Sequence, residues 1–477
     1  MQEKHTVYRS ILCSLFFVLL IVPLSSLALD ELDLLQFIQR TFDNYPELSL
    51  ADIELERARQ ELPKAESQLG FLLGGKAGYS RDLSFIGTPS DTFTAGGELS
   101  RTLDSGERIL LSATYRREDN SGGAVFRGYP NPSNNIGIDF QFRKPLKKGA
   151  GNPEYNQNLI IAGKQVEIAV ANRREQRMRV AQRVIDRFYA ALFTHYRLES
   201  GQRAIERALR LKRYIAKKAE LGLAERKDQL QAEARLRTEE ASYRSLELLQ
   251  KQQRVALNQL LGKPWDNPVL LLEDLEMFPV STSDIDAFLE EAIAYSPALQ
   301  RGRGRLKIAE ATIERQRDLR KDRLDLVLAA GVRNLSGDTG IDYVDKSDLA
   351  GGVSLEFQRA LDHRGFDAAL YQAQLEREQI LKEMDNLRYQ LRYQIAGLVA
   401  EIQENRDVLH SYRQRLQSER VKYQESERLY RDARIETSLL IQHEAEFQVA
   451  ELAFQQQRVE LLKRYATLAL LRGRLVP

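Results

Sequence analysis

The chain has 477 residues, of which 43% are hydrophobic and 29% charged, and its formal net charge is +2. This length exceeds the usual size of one compact domain. The near balance of charge excludes an electrostatic argument for a nucleic-acid partner, and we expect none. Arg and Glu alternate along the helical segments, a pattern that is typical of solvated helix faces.

Residues 1–28 have the pattern of a secretory signal peptide. Lys4 and Arg9 supply positive charge, residues 11–24 are apolar, and Ser26-Leu27-Ala28 is a small-x-small cleavage site. No later stretch approaches the ~20 apolar residues of a membrane-spanning helix. The only cysteine, Cys13, lies inside the signal segment, so the mature chain would contain no disulfide and no reactive thiol. The sequence predicts an exported protein.

Residues 29–264 form the first of two similar halves. The spacing predicts a short amphipathic helix over 32–42, with Leu34, Leu35, Phe37, Ile38 and Phe42 on one side, and a helix from 46 to about 72. The hydrophobic period then changes to two, which predicts strands over about 73–145. The clearest strand places four apolar side chains on one face: Ile136, Ile138, Phe140 and Phe142. Such a strand suits the lipid-facing side of a transmembrane barrel, although a single one also suits a sheet on a soluble core.

A long helical hairpin follows over 153–262. Helical periodicity runs through 155–221 and resumes over 225–261, with Gly222 as the strong breaker between them. A glycine at this place fits a left-handed helix C-cap followed at once by a new helix. The sequence therefore predicts a hairpin with its tip near residue 222.

The same order recurs in residues 285–477, after a connector at 265–284. We expect two short helices, strands over about 325–358, and a second hairpin over 366–472 with its tip near 433. The first half contains an added strand hairpin at about 91–131. In each half the helix after the tip and the helix before the strands together match the long helix in length, so we expect them to stack end to end beside it.

The repeated order resembles the TolC-like outer-membrane efflux and secretion channels. The resemblance rests on three motifs, each weak alone: Asn44-Tyr45-Pro46-Glu47-Leu48, Lys144-Pro145-Leu146 at the strand end, and Leu221-Gly222-Leu223 followed by Asp228-Gln229-Leu230-Gln231-Ala232-Glu233-Ala234. It implies a mainly α fold of long hairpins in tandem repeat, with a transmembrane β-barrel portion. Three chains would close one α-helical tunnel across the periplasm and share one antiparallel barrel in the outer membrane of a Gram-negative bacterium. The family's barrel takes four strands per chain, and the added hairpin leaves the number open for this chain.

The resemblance also implies partners and site residues. The hairpin tips would contact a periplasmic adaptor (membrane fusion) protein, and through it an inner-membrane pump, at Gly222, Leu223, Ala224, Ala433, Arg434 and Ile435. The alternative is that Gly222 is only a helix cap. The family often closes its periplasmic end with acidic rings, but this chain has Leu439 and Gln442 at the matching positions and Asp228 at the corresponding place in the first tip. These three residues are the gate candidates. Glu436, His443 and Glu444 are nearby substitutes, or plain solvated helix residues.

The sequence points to no enzyme, no cofactor and no metal site. The histidines after the signal segment (His195, His363, His410 and His443) lack the spacing of metal ligands, and no phosphate-binding loop or catalytic grouping is present. Residues 301–305, Arg-Gly-Arg-Gly-Arg, are interpreted as a solvated or subunit-facing helical turn. A passive channel for a drug, a metal or a secreted protein is the favoured function. The alternative is a periplasmic or surface coiled-coil scaffold without channel activity.

Overall fold

The computed structural model describes residues 30–83, 87–122, 128–271 and 285–476. The signal peptide expected over residues 1–28 lies outside these ranges, as does most of the connector, residues 272–284. The described part of the first half contains β1 (Asp30–Leu32), α1 (Leu34–Asn44), α2 (Pro46–Glu66), β2 (Leu72–Leu83), β3 (Pro89–Thr102), β4 (Arg108–Asn120), β5 (Ser133–Pro145), α3 (Pro153–Glu220), α4 (Arg226–Leu261) and β6 (Val269–Leu271). The second half contains α5 (Ile285–Tyr295), α6 (Pro297–Leu319), β7 (Arg323–Asp338), β8 (Tyr343–Gln358), α7 (Arg364–Arg431) and α8 (Thr437–Leu471).

Local sequence signals set the starts of several helices. Pro46, Pro153 and Pro297 each occupy the first turn, where the absent N–H of proline has no helical partner to lose. Asn152 accepts a hydrogen bond from the backbone of Tyr155 at 3.3 Å and caps α3. The cap on α3 fixes where the chain leaves β5 and enters a long helix, and the other two prolines mark where α2 and α6 begin after the short helices α1 and α5.

Two long helices of 68 residues, α3 and α7, are each about 100 Å long at 1.5 Å per residue. Helix α3 packs against α4 and α2, and α7 packs against α8 and α6. The end of α4 reaches the start of α2, because a Cβ on Gly262 would lie 3.0 Å from the carbonyl oxygen of Asn44. In the second half Gly473 lies against the ring of Tyr295, just before α6. The expected end-to-end stacks are confirmed.

A hydrophobic core joins the two halves near the middle of these stacks. Phe37 and Ile38 of α1 are fully buried there against α3, α4 and α8, and the ring of Phe37 meets that of Phe188 edge-on at 6.2 Å. The expected apolar side of α1 is wrong in one residue, since Leu35 is exposed. It points away because the buried stripe follows positions 34, 37, 38 and 41.

The Arg-Gly-Arg-Gly-Arg turn is solvated at Arg303 and Arg305, as expected, but its glycines form a packing site. Both glycines are buried on α6. A Cβ on Gly302 would lie 2.6 Å from Cγ of Met384 on α7, and one on Gly304 would lie 2.8 Å from Cγ1 of Ile168 on α3. The glycines therefore let α6 approach both long helices, while Arg305 pairs with Glu383 at 2.9 Å.

Six strands form one antiparallel sheet in the order β2-β3-β4-β5-β7-β8. The contact between β5 and β7 joins the two halves, and the added hairpin β3–β4 lies inside the sheet. Strand β8 begins at Tyr343, earlier than its alternating stretch indicates. A separate parallel pair, β1 with β6, has no counterpart among the sequence expectations.

Candidate functional site

The first tip, residues 221–225, connects α3 to α4 through a Schellman turn. Gly222 has φ +73°. Its N–H donates to the carbonyl of Ala219 at 3.0 Å, and the N–H of Leu223 donates to the carbonyl of Lys218 at 2.8 Å. The left-handed C-cap expected at Gly222 is confirmed.

The second tip, residues 432–436, has the same turn without a glycine. Ala433 has φ +57°. The N–H of Ala433 donates to Tyr430 at 3.1 Å, and that of Arg434 donates to Leu429 at 2.8 Å. The alignment of Ala433 with Gly222 therefore holds in three dimensions, although alanine rarely adopts this conformation.

The six candidate adaptor-contact residues differ in exposure. Gly222, Leu223, Ala433 and Arg434 are exposed. Ala224 and Ile435 are half-buried and pack on an apolar cluster under both tips. Leu221, outside the candidate set, is 73% exposed beside Leu223 at 70%. The two exposed leucines on either side of Gly222 form a larger apolar surface than the candidate residues alone. The Leu-Gly-Leu sequence could have indicated this surface.

The tip cluster fastens the two hairpins to each other. It comprises Leu211, Ile215, Ala232, Tyr423, Tyr430, Leu440 and Phe447. The hydroxyl of Tyr430 lies 3.0 Å from Oγ1 of Thr437, and the ring of Tyr214 lies 5.7 Å from that of Tyr430. Burial raises the pKa of Tyr430 above its ordinary value, because the ionised hydroxyl would lose its solvation in this cluster.

The gate candidates occupy three different surroundings. A carboxylate oxygen of Asp228 accepts the backbone N–H of Glu225 at 3.2 Å, which is the arrangement of a capping residue in the first turn of α4. Leu439 is 37% exposed. Gln442 donates to a carboxylate oxygen of Glu446 at 2.9 Å and is exposed. Among the described residues, no hydrogen bond joins any two of these three side chains.

Glu444 is not a solvated helix residue. Its carboxylate accepts a hydrogen bond from Nε of Arg207 at 2.9 Å, and the two side chains are 3% and 10% exposed. This buried pair joins α3 to α8. It borders a cavity of about 280 Å³ that Arg210, Tyr423, Glu427 and Tyr430 also line. Helical periodicity predicts which residues share a face but cannot identify the partner that buries one of them.

The sheet presents one continuous apolar face. Residues directly opposite each other in an antiparallel ladder lie on the same side. The register therefore places the following residues together: Leu73, Gly75, Ala77 and Tyr79 of β2; Phe93, Ala95, Gly97 and Leu99 of β3; Ile109, Leu111, Ala113 and Tyr115 of β4; Ile136, Ile138, Phe140 and Phe142 of β5; Leu326, Leu328, Ala330 and Val332 of β7; Leu349, Gly351, Val353 and Leu355 of β8. Most of the larger members are exposed in the single chain, for example Leu73 at 85% and Leu349 at 82%, whereas Ile109, Tyr115, Phe142 and Leu326 are half-buried.

The opposite face of the sheet is largely polar. Arg333 lies 3.7 Å from a carboxylate oxygen of Asp139 there. Nearer the helices, Arg143 pairs with Asp325 at 2.9 Å and with Glu356 at 2.6 Å. The two faces thus differ sharply in chemistry.

Two features are absent from the described residues. None of their helices combines the length and apolar character needed to cross a bilayer. Within the same residues, His, Cys, Asp and Glu side chains form no group of three or more suited to a metal ion.

No protein-family model and no curated protein matches the sequence. The structure is similar to solved outer-membrane proteins. The CmeC outer membrane channel of Campylobacter jejuni shares 16% identity and a TM-score of 0.66, over 92% of this chain and 85% of that one. The outer membrane protein VceC of Vibrio cholerae shares 15% identity and a TM-score of 0.63, over 93% and 95%. The MtrE outer membrane channel of Neisseria gonorrhoeae, in its open state, shares 17% identity and a TM-score of 0.64, over 92% of this chain and 88% of that one. The chain therefore has the fold of the outer-membrane channels, and the resemblance to TolC-like channels that its motifs indicate is confirmed at the level of the fold.

Proposed function

We propose that this chain is the outer-membrane channel component of a tripartite efflux or type I secretion system in a Gram-negative bacterium. It acts as a passive homotrimeric tunnel without enzymatic activity. The observation that carries this proposal is the apolar face that runs without interruption across all six strands. An exposed apolar surface of this extent needs a cover, and alternation with a polar face is the pattern of strands between lipid and a water-filled pore.

The two edges of the sheet support the trimer. Strands β2 and β8 are the ends of the strand order, so each has one side without a partner in the chain. Backbone groups cannot remain unpaired in a bilayer, and six strands are too few to enclose a channel. In the trimer, β8 of one chain pairs with β2 of the next, and the barrel has eighteen strands rather than the family's twelve.

The hairpin tips are the proposed docking end for the periplasmic adaptor and, through it, an inner-membrane pump. The exposed residues Leu221, Gly222, Leu223, Ala433 and Arg434 are the contact surface. Ala224 and Ile435 support that surface from beneath, because both pack on the tip cluster. The three gate candidates Asp228, Leu439 and Gln442 lie in the first turns after the tips, so a trimer would repeat each of them around the tunnel axis.

The rival function, a coiled-coil scaffold, predicts a different location for the mature protein. If the protein is a channel, we expect to find it in the detergent-soluble outer-membrane fraction, and we expect the purified protein to conduct ions across a planar bilayer. Recovery in the soluble periplasm without detergent contradicts the channel. The paired substitutions Leu439→Asp and Gln442→Asp test the gate in the same assay: a ring of acids favours cations. If conductance and cation preference stay unchanged, the gate lies elsewhere while the channel stands.

A further inference from the structure

The helix-side end of the apolar sheet face carries a cluster of basic residues. Here β5 ends at Pro145, β7 begins at Arg323 and β8 ends at Gln358. The ladder continues past the strand ends, since the N–H of Leu146 donates to the carbonyl of Leu324 at 2.7 Å. Leu146 follows Lys144 by two residues and Phe142 by four. Alternation therefore places all three side chains on the same side of the sheet.

Arg359 belongs to the same side. It follows Phe357 by two residues, and Phe357 pairs with Leu324. Nε of Arg359 lies 3.8 Å from a carboxylate oxygen of Asp322, which is itself opposite the extension of β5. The outward face thus changes from apolar to charged at the point where strands give way to helices.

An open pocket of about 880 Å³ lies at this level, which we name the rim pocket. Its charged lining is Lys147, Arg320, Lys321, Arg359, Asp322 and Asp367, four cations against two carboxylates, and Leu146 is its apolar wall. Arg320 is paired with Asp367 at 2.8 Å, and Lys321 with the buried Asp318 at 3.2 Å. Lys147 is exposed, and in the described ranges no carboxylate is within ion-pair distance of it. Arg359 is paired with Asp322, so Lys147 supplies a surplus of one positive charge.

A buried ring nitrogen of a residue lining this pocket also lacks a partner. His363 lines the rim pocket, and its Nδ1 is buried with no hydrogen-bond partner among the described residues. A buried polar atom of this kind calls for a ligand. The ligand must supply an acceptor, fit a surplus of positive charge, and extend apolar groups along the face that begins at Leu146.

We propose that the rim pocket binds the phosphate of an anionic phospholipid headgroup in the periplasmic leaflet. The proposal rests on the proposed function, because it requires the sheet to lie in the outer membrane. Lys147 and Arg359 neutralise the phosphate, His363 contributes a hydrogen bond, and the acyl chains lie on Leu146 and the row of Phe357. The pocket thereby fixes the depth at which the barrel sits in the bilayer.

The test compares lipids retained by the full-length protein. Wild-type protein in nanodiscs of mixed phosphatidylglycerol and phosphatidylcholine is extracted in mild detergent, and the bound lipids are counted by native mass spectrometry. We expect enrichment of phosphatidylglycerol. The double variant Lys147→Gln/Arg359→Gln should lower that enrichment roughly tenfold, since each basic residue near an anionic lipid surface adds to the attraction. The matched control, Lys382→Gln/Arg392→Gln, removes two exposed cations from α7 and should leave it unchanged.

Three outcomes overturn the proposal. One is equal retention of both lipids by the wild type. Another is equal loss in both double variants, which would mean that net charge alone sets the preference. The third concerns wild-type protein in excess inorganic phosphate. If the enrichment of phosphatidylglycerol is lost while the protein retains inorganic phosphate, the pocket is a site for free phosphate. Planar-bilayer conductance of the same wild-type sample separates the proposals: conductance without lipid enrichment leaves the channel standing and removes only the lipid site.

Discussion

At the scale of single residues, Ala433 and Gly222 form a matched pair. Both occupy the left-handed position of the same turn, and a Cβ on Gly222 would meet nothing within 4 Å. A methyl group there costs only backbone strain, about 1 kcal/mol. We expect Ala433→Gly to slow hydrogen exchange at the second tip and Gly222→Ala to speed it at the first, each by roughly three- to fivefold.

The control for this pair is Gly397→Ala on α7. It also adds a methyl group to open space, but its backbone is helical, so alanine should stabilise rather than strain it. If Gly222→Ala and Ala433→Gly change exchange in the same direction, the strain explanation is wrong. The second tip would then keep its turn for a reason other than backbone conformation.

At the scale of elements, the buried pair of Arg207 and Glu444 joins the first hairpin to α8. Glu444→Gln leaves a buried guanidinium without a counter-charge, and we expect a loss of about 3 kcal/mol in the free energy of unfolding. Guanidinium unfolding followed by circular dichroism measures it.

The control pair joins α7 to α8, two residues further along α8 than Glu444. Lys422 and Glu446 are 2.6 Å apart but 38% and 39% exposed, so Glu446→Gln should cost less than about 1 kcal/mol. Equal losses of unfolding free energy in the two variants would show that burial does not determine how much the Arg207–Glu444 pair contributes to stability. Replacement of both Arg207 and Glu444 by leucine should cost less than Glu444→Gln alone, because it leaves no unpaired charge.

At the scale of the whole molecule, the added hairpin β3–β4 sets the width of the proposed barrel. Barrel diameter grows roughly linearly with strand number, so eighteen strands give roughly 1.5 times the diameter of twelve. Deletion of residues 87–131 removes both strands and leaves β2 antiparallel to β5, so the barrel can close again. Electron microscopy of the trimer in nanodiscs should show the narrower barrel in the variant. Equal diameters would mean that β3–β4 does not belong to the barrel wall.

The sequence predicted the features that depend on hydrophobic periodicity and local breakers. The long helices, the Gly222 turn and the alternating face of β5 all follow from local spacing. The early start of β8 was missed because Asp345, Lys346 and Asp348 make its first half polar. The buried state of Glu444 and the packing of Gly302 were missed for a different reason. Both depend on which helix lies opposite, and one sequence contains no direct record of that partner.

The contact between β5 and β7 has a consequence for the order in which the chain acquires its structure. Arg143 and Asp325 are 182 residues apart in the chain, yet their strands are neighbours. Such a high contact order delays pairing until the intervening hairpin of α3 and α4 has formed from local contacts. We therefore expect the sheet to form last. In the proposed trimeric channel, the charged helices would fold first, and the lipid-facing surface would be completed only when the other chains of the trimer are present.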